Sequence, residues 1–299
     1  MISSSFRFLI LPTLLTVASS TLASGRVVET DSEKRYIDQQ GVETSEDQYA
    51  VAGAWGKGDI SFSNPNEADH RMIVDKQGNW PSKFKFEWWW PRNNQGNRQG
   101  RVKAFYYVGT GFLNSDGKYY DRILPRRLWQ IPNHASVEAK LRFDRGTYGA
   151  RNYSINMMTR GQLTGNNPAY PAYFQQTREG FTNEIHIYEW YNGSIPNNAD
   201  KPWTNLGVYT IPGTNVQYQM RKITNGNRKQ IKSGLPYYQA WRIKKSTGGA
   251  VALGHILRYF RTNAGLPSSA KLSFIRVGVE VNHGAGGMRL EEVEFVDLK

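Results

Sequence analysis

Asn183-Glu184-Ile185-His186-Ile187-Tyr188-Glu189-Trp190 and Ile275-Arg276-Val277-Gly278-Val279-Glu280-Val281-Asn282 are the two stretches on which the fold of this chain turns. Side chains on a strand alternate between faces, so each stretch sorts its residues into two sets. In the first, Ile185 and Ile187 share one side, and Glu184, His186, Tyr188 and Trp190 share the other. In the second, Ile275, Val277, Val279 and Val281 oppose Arg276, Glu280 and Asn282. Each strand offers an apolar side to a core and a polar side that carries one carboxylate.

Working outward, the same period recurs along most of the chain. Phe84, Phe86, Trp88 and Trp90 alternate with Lys85 and Glu87, and residues 102–108, 137–143 and 153–158 follow. Turn chemistry bounds these stretches, as in Asn93-Asn94-Gln95-Gly96 and Asp144-Arg145-Gly146. Residues 208–211, 237–243 and 290–296 continue the pattern. One segment departs from it. Over residues 251–262, Leu253, Ile256, Leu257 and Phe260 fall at helical spacing, with Gly265 beyond as a stop signal. Many short strands and one late helix predict an all-β jelly-roll sandwich of two antiparallel sheets, with a short helix near the C-terminus.

Residues 1–23 have the grammar of a secretory signal. Arg7 supplies the positive charge, residues 8–18 are apolar, and Thr21-Leu22-Ala23 ends in small residues, so cleavage near Ala23 and an extracellular destination are expected. The apolar run is too short for a spanning helix. Residues 24–48 are polar and aperiodic and read as a flexible leader, and residues 49–299 as the folded domain. The chain has no cysteine, which excludes disulfides, thiol nucleophiles and thiolate metal sites. Its five histidines show no metal-ligand spacing, so no metal or other cofactor is expected. The formal net charge of +13 suits anionic polymers, but the bases are scattered and export disfavours nucleic acid.

Two carboxylates facing each other across a groove are what cleavage of a glycosidic bond requires. One must be ionised to attack the anomeric carbon, and the other protonated to release the leaving oxygen. A lone Glu on the polar face of a strand is most often a solvated residue, and Glu189, Glu291, Glu292 and Glu294 are read as structural or solvated. Sugar rings also need flat apolar faces; the chain has 9 Trp and 17 Tyr, enough to fill a core and line a groove.

In their order and spacing these residues resemble glycoside hydrolase family 12, the jelly-roll β-glucanases. Glu184-Ile185-His186-Ile187-Tyr188 occupies the place of the family's nucleophile strand, Glu-Leu-Met-Ile-Trp. Gly278-Val279-Glu280-Val281-Asn282 matches its acid/base motif, Gly-Thr-Glu-Pro-Phe. Residues 254–269 resemble the family's helix and following loop, Val102-Lys103-Ala104-Phe105 its Val-Lys-Ser-Tyr, and Ala54-Trp55-Gly56 its Asn-x-Trp-Gly. The resemblance implies a secreted, monomeric, retaining endo-β-glucanase acting on cellulose, mixed-linkage glucan or xyloglucan, with no nucleic-acid or membrane partner. It makes Glu184 the nucleophile and Glu280 the acid/base. Asn156, His186 and Tyr188 then become supporting or substrate-binding residues, with Trp55 and Trp190 as sugar platforms.

The shell around the pair departs from the family. Asn156 stands where an Asp is usual, His186 replaces a methionine, and Tyr188 a tryptophan. Like-charge repulsion from Glu184 would raise the pKa of Glu280, while Arg276 on the same face would lower it. Two other functions fit the same residues. One is a polysaccharide-binding jelly roll whose catalysis has decayed, suggested by Asn156 and His186. The other is a lyase acting on an acidic polysaccharide, suggested by the basic charge and by His186 with Tyr188.

Overall fold

The computed structural model describes residues 26–30, 38–43, 48–54, 69–75, 83–90, 104–112, 119–120, 124, 126–160, 181–192, 203–223 and 236–298. The expected signal segment and Trp55 lie outside these residues. With strands numbered along the chain, the smaller sheet runs β1 (Arg26–Thr30), β4 (Asp69–Asp75), β5 (Lys83–Trp90), β17 (Gly284–Val296), β9 (Ser136–Phe143) and β15 (Gly248–Val251). The larger sheet runs β12 (Thr204–Thr210), β13 (Gln217–Ile223), β14 (Tyr237–Arg242), β11 (Phe181–Tyr191), β10 (Arg151–Arg160), β16 (Lys271–Val281), β6 (Ala104–Phe112), β3 (Tyr49–Ala54) and β2 (Asp38–Glu43). Two-residue strands β7 (Tyr119–Tyr120) and β8 (Arg126–Arg127) pair with β6 and β16.

The predicted sandwich is the observed architecture, with two refinements. Pairing of β11 with β14 is parallel, so the larger sheet is mixed. Residues 24–48, expected to be a flexible leader, contain β1 and β2, which pair with β4 and β3 at sheet edges. Edge strands need bury only one backbone side, so weak apolar periodicity did not betray them.

Alternation decides which faces meet. Ile155, Met157, Ile185, Ile187, Val277, Val279 and Tyr106 from the larger sheet share one core with Phe84, Phe86, Val137, Leu141 and Met288 from the smaller. Across the interface, Trp88 stacks on Tyr106 with centroids 5.5 Å apart, and Phe86 lies 5.6 Å from the same ring. The helix α1 (Leu253–Asn263) buries Leu253, Ile256, Leu257 and Phe260, and Phe260 packs 5.4 Å from Tyr238 of β14. Its end is closed by hydrogen bonds from the Ala264 and Leu266 amides to the Phe260 carbonyl around Gly265, whose φ is +75°. Lys222 of β13 donates to the Ala264 carbonyl at 2.9 Å, tying the helix to β13 and β14. Those strands form one wall of the site described below.

The other face of the larger sheet is equally close-packed at its centre. All of β16 beyond Lys271 is buried, including Arg276 and Glu280. At Gly278 a Cβ would fall 1.9 Å from the Tyr106 carbonyl oxygen and 2.6 Å from the Tyr107 Cα of β6. Gly278→Ala should therefore force β6 and β16 apart and cost about 2–3 kcal/mol, measured as a lower denaturant midpoint with an unchanged m-value.

Candidate active site

Strand register places the polar residues in rows that cross the larger sheet. Arg276 of β16 is opposite Asn156 of β10, Asn156 opposite His186 of β11, His186 opposite Gln239 of β14, and Gln239 opposite Arg221 of β13. Opposed residues share a face, so these five side chains form one row. Glu184 lies two residues before His186, level with Met158 and Tyr237. Glu280 lies four residues beyond Arg276, level with Asn152.

The side chains converge on His186. Its Nε2 lies 3.3 Å from Glu184 Oε1, and its Nδ1 4.0 Å from Glu280 Oε1. One imidazole thus touches both candidate carboxylates. The Asn156 side-chain amide meets the same Nε2. Nδ1 lies 2.7 Å from the Tyr188 hydroxyl, which in turn lies 3.0 Å from the Tyr237 hydroxyl. Asn152 Nδ2 donates to Glu280 Oε2 at 2.9 Å.

Burial sets the charge states. His186 is pushed down to about 3 by desolvation, so the ring is neutral. The carboxyl groups of Glu184 and Glu280 beside the ring favour its charged form, but desolvation prevails. Desolvation pushes Glu280 up to about 7, against the hydrogen bond from Asn152. The expected rise is present, but its cause is burial rather than repulsion from Glu184. Arg276 does not figure in the shift; its guanidinium carbon lies 3.9 Å from the Phe274 centroid and 4.9 Å from that of Tyr107. Tyr188 and Tyr237 are both pushed well above 10 by burial and remain donors.

Five of the seven residues singled out from sequence are thus placed. Glu184, Glu280, Asn156, His186 and Tyr188 converge, whereas Trp55 lies outside the described residues. Trp190 is a correction. Tyr153 pairs with Trp190 but Ser154 pairs with Tyr188, so Glu189 is an extra, bulged residue. A bulge inverts the alternation beyond it. Trp190 consequently turns to the core side, with its ring 4.8 Å from Phe143 of β9. Tyr191 takes the site face instead, edge-on to Trp241 at 5.1 Å. Glu189 itself is buried and anchors the bulge, accepting from the Tyr218 hydroxyl at 2.6 Å and from Arg242 at 2.5 Å. Its structural reading holds, with an ion pair in place of solvent.

Several residues at the site escaped the sequence reading. Trp241 stacks on Tyr188 at 3.9 Å, and its Nε1 donates to Gln239 Oε1 at 2.9 Å. Asn152, Tyr237 and Trp203 also belong there, Trp203 with its ring 5.7 Å from that of Tyr237. The alternation Tyr237-Gln239-Trp241 was visible, but only the parallel pairing with β11 aligns it with Glu184-His186-Tyr188.

No protein-family model matches this chain, and no curated protein matches it in sequence. Solved structures do match in fold. A native family 12 xyloglucanase from Bacillus licheniformis is 16% identical, with 90% of this chain and 98% of that one covered, at a TM-score of 0.59. An endoglucanase from Rhodothermus marinus is 14% identical over 90% and 97%, and Trichoderma harzianum endoglucanase 3 of family 12 is 14% identical over 91% and 96%, both at 0.60. The resemblance to family 12 drawn from the motifs is therefore met in the fold.

Proposed function

We propose that this chain, with its family 12 fold, is an exported, retaining, endo-acting glycoside hydrolase of β-linked glucan and a distant member of that family. The observation that carries the reading is a buried Glu280 kept protonated near neutrality, on the same face as Glu184 and bracketing the same imidazole. The ionised Glu184 attacks the anomeric carbon while the bond to the leaving oxygen breaks and that oxygen takes the Glu280 proton. Glu280, now a carboxylate, then removes a proton from water. The resulting hydroxide equivalent attacks the anomeric carbon and releases Glu184.

Asn156, His186, Tyr188 and Tyr237 act as a positioning chain beneath the pair. A neutral His186 between the carboxylates gives Glu280 no cation to ionise against, so the acid keeps its proton. A panel of cellulose, mixed-linkage glucan and xyloglucan, assayed for new reducing ends and for ultraviolet-absorbing unsaturated ends, tests the reading. Reducing ends alone support hydrolysis. Unsaturated ends would favour a lyase using His186 and Tyr188, and binding without cleavage would favour the decayed jelly roll. Proton NMR of the first product, showing retained β-configuration, checks the mechanism. It goes with a carboxyl separation of about 5–5.5 Å, where inversion needs roughly 6.5 Å or more. Export is checked by mass: the secreted protein should lack residues 1–23.

The pH profile follows from the same group. The active form has Glu280 protonated, so kcat/KM should fall as pH rises through about 7. It should fall again in acid as Glu184 takes up a proton. Substituting Asn152 by Ala removes the hydrogen bond that favours the charged form of Glu280, and should move the alkaline limb upward. An alkaline limb unmoved by that substitution would count against Glu280 as its source.

A further inference from the structure

Gln239 is buried and lies opposite His186 in the register of β11 with β14. Its Oε1 accepts from two donors, Arg221 Nε at 2.7 Å and Trp241 Nε1 at 2.9 Å. Neither of those groups can accept, so together they fix which end of the amide is oxygen. The amide nitrogen, which can only donate, therefore makes the side-chain hydrogen bond to the Tyr237 hydroxyl. From Tyr237 the contacts run to the Tyr188 hydroxyl at 3.0 Å and on to His186 Nδ1 at 2.7 Å. Across the ring, Nε2 lies 3.3 Å from Glu184 Oε1. One line of polar contacts thus joins a fixed donor on β14 to the candidate nucleophile on β11.

We propose that Gln239 is a positioning residue that acts through Tyr237 and Tyr188 to set His186 as the tautomer with its proton on Nε2, from where it donates to Glu184. A neutral imidazole carries one N–H and a hydroxyl gives one proton, so the line runs wholly one way or the other. Run toward Glu184, Gln239 gives to Tyr237, Tyr237 to Tyr188, Tyr188 to Nδ1, and Nε2–H to the carboxylate. Every donor then meets an acceptor. Run the other way, Nδ1 gives to Tyr188 and Tyr188 to Tyr237, which then accepts from both sides. A bare Nε2 lone pair would face a carboxylate oxygen at 3.3 Å. Burial keeps the ring from relieving that repulsion by taking up a second proton. Asn156 permits the first direction, because its amide, turned end for end in the same space, offers Nε2 an oxygen.

An N–H held on Glu184 orients the carboxylate and favours its ionised form. The support for the nucleophile thus begins on β13 and β14, two strands that carry neither carboxylate. Gln239→Glu keeps the shape of the side chain and reverses the direction of the line. Arg221 Nε and Trp241 Nε1 can still donate to one oxygen, and the adjacent guanidinium favours the ionised form of the new group. Its other oxygen can only accept, so Tyr237 turns its proton there, Tyr188 gives its own to Tyr237, and Nδ1 takes over the proton of the ring.

The test is the two-bond proton–nitrogen NMR spectrum of the mature protein labelled with ¹⁵N-histidine, taken on the acid side of the Glu280 transition. The His186 signals are identified by their loss in His186→Gln. A protonated ring nitrogen resonates well upfield of a bare one, so the tautomer is read without any turnover. The wild-type ring should carry its proton on Nε2, and Gln239→Glu should move it to Nδ1. In that variant kcat should fall about tenfold or more, the scale of one hydrogen bond to a charged group, with KM little changed. Gln239→Met, which ends the line without reversing it, should give a mixture of tautomers and a smaller fall. A wild-type ring protonated on Nδ1 would overturn the inference, as would a tautomer unmoved by Gln239→Glu. The kinetic consequence rests on the hydrolase reading above: if no glucan is cleaved, that reading fails, and the spectrum still decides the tautomer.

Discussion

Replacing Glu184 by Gln is expected to abolish turnover on every substrate, by at least ~10⁴-fold, the scale seen when a covalent nucleophile is removed. The amide is nearly the same size and sits at a partly buried position on β11, so the strand and its partners should fold unchanged. No leaving group rescues this variant, however good, because no glycosyl-enzyme can form. Replacing Glu184 by Gly opens space on that face. Azide can then enter there and attack the anomeric carbon directly, which gives a product of inverted configuration, an α-glycosyl azide. Recovery of a β-glycosyl azide from Glu184→Gly would transfer the nucleophile's role to another residue.

Replacing Glu280 by Gln should act in two directions. kcat/KM should fall steeply on polysaccharide, yet little on aryl glycosides whose leaving oxide has a low pKa and hardly needs a proton, while kcat falls on both because water loses its base. Azide should restore the second half of the cycle by attacking the intermediate without base assistance, giving a β-glycosyl azide. Stability should rise. A carboxyl whose folded pKa is raised from 4.5 to about 7 stabilises the fold fully only below the unfolded value, and that contribution is lost as pH rises through about 7. At pH 8 the wild-type protein therefore holds a buried charge that Gln removes, a gain of about 3 kcal/mol. At pH 4 both side chains are neutral and the two proteins should melt together. A melting-temperature difference that is the same at both pH values would mean that Glu280 is not buried as a carboxyl in this way.

Much of this protein was legible in its residues. A period of two is a property of the strand alone, so the core faces of β10, β11 and β16 could be read one strand at a time. The helix announced itself through Leu253, Ile256, Leu257 and Phe260, and all four are buried in the observed α1 (Leu253–Asn263). The two glutamates could be paired through the order and spacing of their motifs. What escaped was what depends on neighbours. Trp190 was assigned by counting along β11, and counting fails at a bulge, whose insertion is a property of the β10–β11 pair.

The chain's own pattern determined the sandwich, the helix and the two carboxylate strands, because alternation and helical spacing are local and the solvent sorts them. Only the tertiary structure decided how the strands align, and alignment is what makes a site. The parallel register of β11 with β14 brings Tyr237, Gln239 and Trp241 beside Glu184, His186 and Tyr188. Register across β10 lays Arg276, Asn156 and His186 in one row. The protonation of Glu280 is of the same kind: its pKa responds to the water excluded by surrounding strands, a sum over residues distant in sequence that no single stretch contains.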